Sequence, residues 1–90
     1  MRILLVTLDL KAGISDALFD ALKNQGSWWH YMKPTWLLYT DKTPDEVVDA
    51  LKPHMEGHGR LLVVPLTRPY QGLLPDKAWK WIRERVDADQ

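Results

Sequence analysis

The chain has ninety residues, twelve basic side chains balanced by twelve acidic ones, and no cysteine. Those facts exclude disulfide staples, thiolate chemistry and a zinc ribbon, and they remove the basic excess that phosphate-neutralising nucleic-acid binders usually carry. A chain of this size forms one domain, residues 1–90, and buries only about 60–65% of its unfolded surface, so burying a partner surface would add materially to its stability.

At 46% hydrophobic residues the chain can build a core, and its five tryptophans exceed what such a core needs. The run Met1 to Leu8 looks like the start of a signal peptide, but Asp9 interrupts it and no small-residue cleavage site follows. No stretch approaches the ~20 apolar residues that span a bilayer. The expectation is a cytoplasmic protein with no membrane association.

Residues 2 to 8 are apolar on both alternating sets, as in a central strand covered on two faces. Ser15 is an N-cap, Ile14, Leu18 and Leu22 recur every fourth residue, and Gly26 stands in the C-cap role, which predicts an amphipathic helix. Ser27 to Met32 and Thr35 to Thr40 are aromatic and β-branched, and Lys33-Pro34 between them predicts a hairpin, with a turn over Lys33 to Trp36. Thr43-Pro44-Asp45-Glu46 is a capping box with proline at the first helical position. Val47, Val48, Leu51 and Met55 form the stripe of that second helix, and Pro53 is expected to bend or shorten it. Gly57 and Gly59 release the chain into a strand from Arg60 to Leu66. Pro65 places that strand at a sheet edge, because proline cannot donate to a ladder. Thr67 to Leu74 reads as a loop, and Pro75-Asp76 opens a last helix carrying Trp79, Ile82 and Val86 on one side.

The order strand, helix, strand, strand, helix, strand predicts an α+β, ferredoxin-like βαββαβ fold. Its four-stranded antiparallel sheet would run 4-1-3-2, with a C-terminal helix added. In the bare arrangement both helices cover one face. Leu4, Val6 and Leu8, and equally Leu62, Val64 and Leu66, imply an apolar second face that needs its own cover. The last helix and a second copy of the chain are the two candidates.

Gly26-Ser27-Trp28-Trp29-His30-Tyr31, with Thr35-Trp36-Leu37-Leu38 after it, resembles small bacterial proteins labelled SinR-like, though nothing here looks like a helix-turn-helix repressor. More distantly, the element order looks like the CRISPR-associated ferredoxin-fold small subunit that accompanies the integrase, and its toxin relatives. That resemblance implies two chains paired sheet to sheet, and an aspartate ending the first strand of each that holds a metal for RNA or DNA cleavage. Asp9 stands at the matching position. Where that family usually has an aromatic shortly before the aspartate, this chain has Thr7-Leu8-Asp9, and a helix replaces the family's extra C-terminal strand.

Each candidate residue also has a plainer reading. Asp9 could ligate Mg²⁺ with its copy, or simply cap the turn after its strand. His54 and His58 are four apart, but Gly57 lies between them and no third ligand is evident. His30 could act as a general base or serve as a hydrogen-bonded strand residue. Trp28, Trp29, Tyr31, Trp36 and Tyr39 could stack bases or form a protein interface. Strand alternation sends Trp28 and Trp29 to opposite faces. The loop Arg68-Pro69-Tyr70-Gln71-Gly72 could grip a phosphate or nucleotide, or merely connect.

Taken together, the residues favour a non-catalytic, homodimeric binding module, in a nucleic-acid-related or defence setting and with no cofactor. Its interface residues would be Trp28, Trp29, Tyr31, Trp36, Arg68, Tyr70 and Trp79. The alternative is a Mg²⁺-dependent nuclease using Asp9 across a dimer axis.

Overall fold

A computed structural model describes residues 1–10, 13–55 and 59–86, with only the backbone of Tyr31. The elements are β1 (Arg2–Asp9), α1 (Asp16–Lys23), β2 (Ser27–Met32), β3 (Thr35–Thr40), α2 (Pro44–Leu51), β4 (Arg60–Pro65) and α3 (Asp76–Val86). The strands form one antiparallel sheet in the order β2-β3-β1-β4. This is the ferredoxin-like topology with an added C-terminal helix.

Local signals set the helix ends. Ser15 accepts a hydrogen bond from the Leu18 amide and opens α1. Thr43 and Glu46 form the reciprocal capping box of α2. A short 3₁₀ turn at Lys52–His54 follows α2, since Pro53 cannot continue its hydrogen-bond ladder. Gly57 and His58 lie outside the described residues.

Gly26 is not the helix cap. Asn24 caps α1 with its backbone amide, while Gly26 starts the approach to β2 with φ at +155°. The hairpin turn also differs from the expectation. Met32 pairs directly with Thr35, so Lys33 and Pro34 alone form the connection. An extra residue bulges out of β2 between Trp29 and Met32, which shifts the turn by one position.

The capping box carries a measurable consequence. The Thr43 backbone amide, and then its hydroxyl, hold the Glu46 carboxyl below its ordinary range. A carboxyl lowered by folding adds stability above its unfolded pKa, about 4.3, and that contribution disappears as pH falls through the folded value. Thr43→Ala is expected to cost about 1 kcal/mol at neutral pH, seen as a lower urea midpoint at unchanged slope. Glu46→Gln should flatten part of the acid limb of the stability curve. A Thr43→Ala midpoint equal to the parent's would refute the role of the cap.

Two cores sandwich the sheet. On one face Leu4, Val6 and Leu8 meet Trp36, Leu38 and Val63, under Leu18 and Leu22 of α1 and Val47 and Leu51 of α2. On the other face Ile3, Trp29 and Leu37 lie beneath Ala78 and Ile82 of α3. The sequence expectation had put Leu4, Val6 and Leu8 with Leu62, Val64 and Leu66. The register separates them: Leu4 pairs with Pro65 and Val6 with Val63, so even-numbered β1 residues share a face with odd-numbered β4 residues. Leu4, Val6 and Leu8 therefore face α1 and α2, and Leu62 and Val64 belong to the second face.

The second face changes character along its length. It is apolar where α3 lies and turns to Thr7 and Thr35 beyond it, their hydroxyls 3.4 Å apart. The small Ala78 side chain, fully buried, lets α3 approach the sheet closely. Arg85 secures the last turn of α3, lying 4.3 Å over the Trp81 ring and donating to the Trp81 carbonyl at 3.2 Å. α3 does not reach all of β4.

Candidate functional site

The expected interface residues do not form one surface. Trp36 is fully buried in the first core and Trp29 is buried in the second, so neither ring is available to a partner. Trp28 lies on the α1 side of the sheet, 42% exposed. Tyr70 and Trp79 lie on the opposite side, stacked on each other with ring centres 6.1 Å apart. Arg68 is exposed in the loop before them. The side chain of Tyr31 lies outside the described residues.

On the α1 side the rings form a cluster at the β2 edge. His30 stacks on Trp36 at 3.9 Å, and Trp28 leans on Trp36 at 5.4 Å. Phe19 meets Trp36 edge-on at 5.0 Å and Trp28 at 6.3 Å, with the Lys23 ammonium 4.6 Å above the Phe19 ring. The Nδ1 of His30 lies 3.0 Å from the Thr35 carbonyl oxygen, which can only accept, so Nδ1 carries the proton. This geometry locks His30 as a packed strand residue.

On the α3 side a cleft of about 280 Å³ opens between the sheet and the loop preceding α3. Leu5, Trp29 and Leu37 form its floor, and Tyr70, Trp79 and Ile82 its wall. Ligand pockets usually run from about 300 to 1,000 Å³, so this one lies at the small end, and its mostly apolar lining suits a small apolar ring or side chain. Leu73 projects fully exposed at its rim, with Met32 half-exposed across from it.

Beside this cleft lies the part of the apolar second face for which the sequence left two candidate covers. Leu62 is 56% exposed and Val64 36% exposed on β4, beyond the reach of α3. Among the described residues β4 pairs with β1 alone, so its outer side is an open sheet edge. Pro65 marks this strand as an edge and the alternation names Leu62, Val64 and Leu66 as its apolar set; how far α3 covers them is what only the structure shows.

Asp9 is exposed at the end of β1, in register with Arg60 of β4. A cation thus stands next to it in the ladder. Among the described residues no three histidine, cysteine or acidic side chains gather where a metal could be held. His54 is exposed in the 3₁₀ turn. No helix among the described residues is long and apolar enough to cross a membrane. Comparison with known protein families, curated proteins and solved structures finds no match.

Proposed function

We propose that this chain is a non-catalytic interaction module that acts as a homodimer through its exposed apolar edge strand, β4. The observation that carries this reading is the exposure of Leu62 and Val64 on an edge strand. Isolated domains usually guard such an edge with inward charges, bulges or a covering element. Here Leu61 to Val64 is an unbroken apolar run, with Arg60 and Pro65 only at its ends. Zero net charge adds no long-range repulsion between copies, and it favours protein over nucleic acid as any further partner.

The competing reading, a metal-dependent nuclease through Asp9, needs a second carboxylate brought against the first by the partner subunit. Arg60, in register with Asp9, sets a like charge in the neighbourhood of any cation held there, which disfavours its binding. The apolar edge carries no such penalty.

Sedimentation equilibrium over a wide concentration range tests the proposal. The parent chain is expected to sediment at twice its chain mass. A Leu62→Lys, Val64→Lys double variant should sediment at single-chain mass with an unchanged far-ultraviolet spectrum. A parent protein that stays at single-chain mass at every concentration would sink the reading.

A further inference from the structure

The backbone of β4 shows how two copies would meet. The amide of Leu66 donates to the carbonyl of Ile3 at 2.8 Å, and the β1–β4 register continues as Leu5 with Val64, Thr7 with Leu62 and Asp9 with Arg60. Hydrogen-bonded pairs alternate in an antiparallel ladder, so Val64, Leu62 and Arg60 direct their backbone groups at β1. The groups of Leu61, Val63 and Pro65 therefore point out of the sheet. Proline sits at an outward position, where its missing N–H costs no bond within the chain. Leu61 and Val63 present complete donor and acceptor pairs to the exterior, placed symmetrically about Leu62.

We infer that two copies join edge to edge through antiparallel β4 strands, with the two-fold axis at Leu62, into one continuous sheet. This rests on the homodimer reading and specifies its geometry. In this register Leu61 and Val63 exchange both backbone bonds with Val63 and Leu61 of the partner subunit. Leu62 lies directly across from Leu62 of the partner subunit and covers the most exposed apolar side chain of the strand.

Neighbouring registers are worse. With the axis at Val63, Pro65 falls opposite Leu61 of the partner subunit, inside its strand, and the ring meets a carbonyl where a bond should form. With the axis at Leu61, fewer outward groups of the two strands find partners. Centring on Leu62 moves Pro65 beyond the partner's strand. It also keeps the two Arg60 side chains at opposite ends of the ladder, roughly 13 Å apart at ~3.3 Å per residue, so no like charges face each other. A self-complementary strand of this kind is what a two-fold interface needs.

The absence of cysteine from the sequence makes the test clean. Residues facing across a non-hydrogen-bonded pair have Cα atoms about 4.5 Å apart, within the limit of about 7 Å for a disulfide. Leu62→Cys is therefore expected to oxidise readily to a covalent dimer. Val64→Cys, displaced from its copy by roughly 13 Å along the strands, should not. Both positions are exposed, so both variants should fold. If the parent sediments as a dimer but Leu62→Cys cross-links no better than Val64→Cys, the edge register is wrong and the homodimer reading stands. If the parent is a single chain throughout and Leu62→Cys stays uncross-linked, both fail. A single chain that binds an extended peptide along β4 would likewise overturn the self-pairing.

Discussion

Gly26→Ala is expected to destabilise the folded chain by roughly 3 kcal/mol, lowering the melting temperature by about 15–20 °C for a domain of this size. Gly26 combines a φ of +155° with a close backbone approach. A Cβ added there would run into the carbonyl of Tyr39 and lie 3.2 Å from the Thr40 side chain. Tyr39 is paired with Ser27 at the first rung of the β2–β3 ladder, so its carbonyl cannot swing aside. On the other side Gln25 is buried, donating to the Ala21 carbonyl at 2.8 Å and accepting from the Lys42 ammonium at 2.6 Å. The strand entrance is thus held from both sides.

Gly13 supplies the contrast. Its φ is also positive, at +79°, but nothing lies within 4 Å of an added Cβ. Gly13→Ala should cost only the left-handed backbone penalty, about 1–2 kcal/mol. Thermal unfolding followed by near-ultraviolet circular dichroism separates the two. Equal losses at both positions would show that the Tyr39 carbonyl yields easily.

The elements were legible because their signals are local. The capping box, the Ser15 cap and the two prolines at strand and helix boundaries each act over three or four residues. Pro65 even reported a non-local fact, the edge position of β4. The pairing of faces was not legible. In β1 both alternating sets are apolar, so periodicity cannot say whether Leu4 or Leu5 faces α1. That depends on the β1–β4 register and on which side each helix packs, which no single residue announces.

The candidate site was harder to read for a related reason. A tryptophan in a strand has the same sequence signature beneath a helix as on a bare sheet. Trp29 became core only because α3 crosses its end of the sheet, and Trp36 because α1 and α2 cover the other face. Leu62 and Val64 carried the opposite ambiguity, as apolar residues that look like core until the reach of α3 is known.

The second large effect concerns Trp36. Trp36→Ala is expected to cost about 3–5 kcal/mol, a large part of the 5–15 kcal/mol or so that a domain possesses. Its ring is the largest fully buried side chain, and Phe19, Trp28 and His30 all pack on it. Removing it would leave three rings around a void, with His30 deprived of its stacking surface.

Trp36→Phe should behave differently. The indole Nε1 of Trp36 is buried with no hydrogen-bond acceptor among the described residues. Leaving such a donor unsatisfied costs about 1–3 kcal/mol, and phenylalanine removes the donor while keeping an aromatic face for His30. The smaller ring opens a modest cavity, and the relieved polar group offsets much of that loss, so a net cost of about 1 kcal/mol is expected. Urea midpoints of the two variants, compared at equal slope, decide the matter. A phenylalanine variant as damaged as the alanine one would mean that the indole N–H finds a partner in solution, and that the edge of this core is wetter than its packing implies.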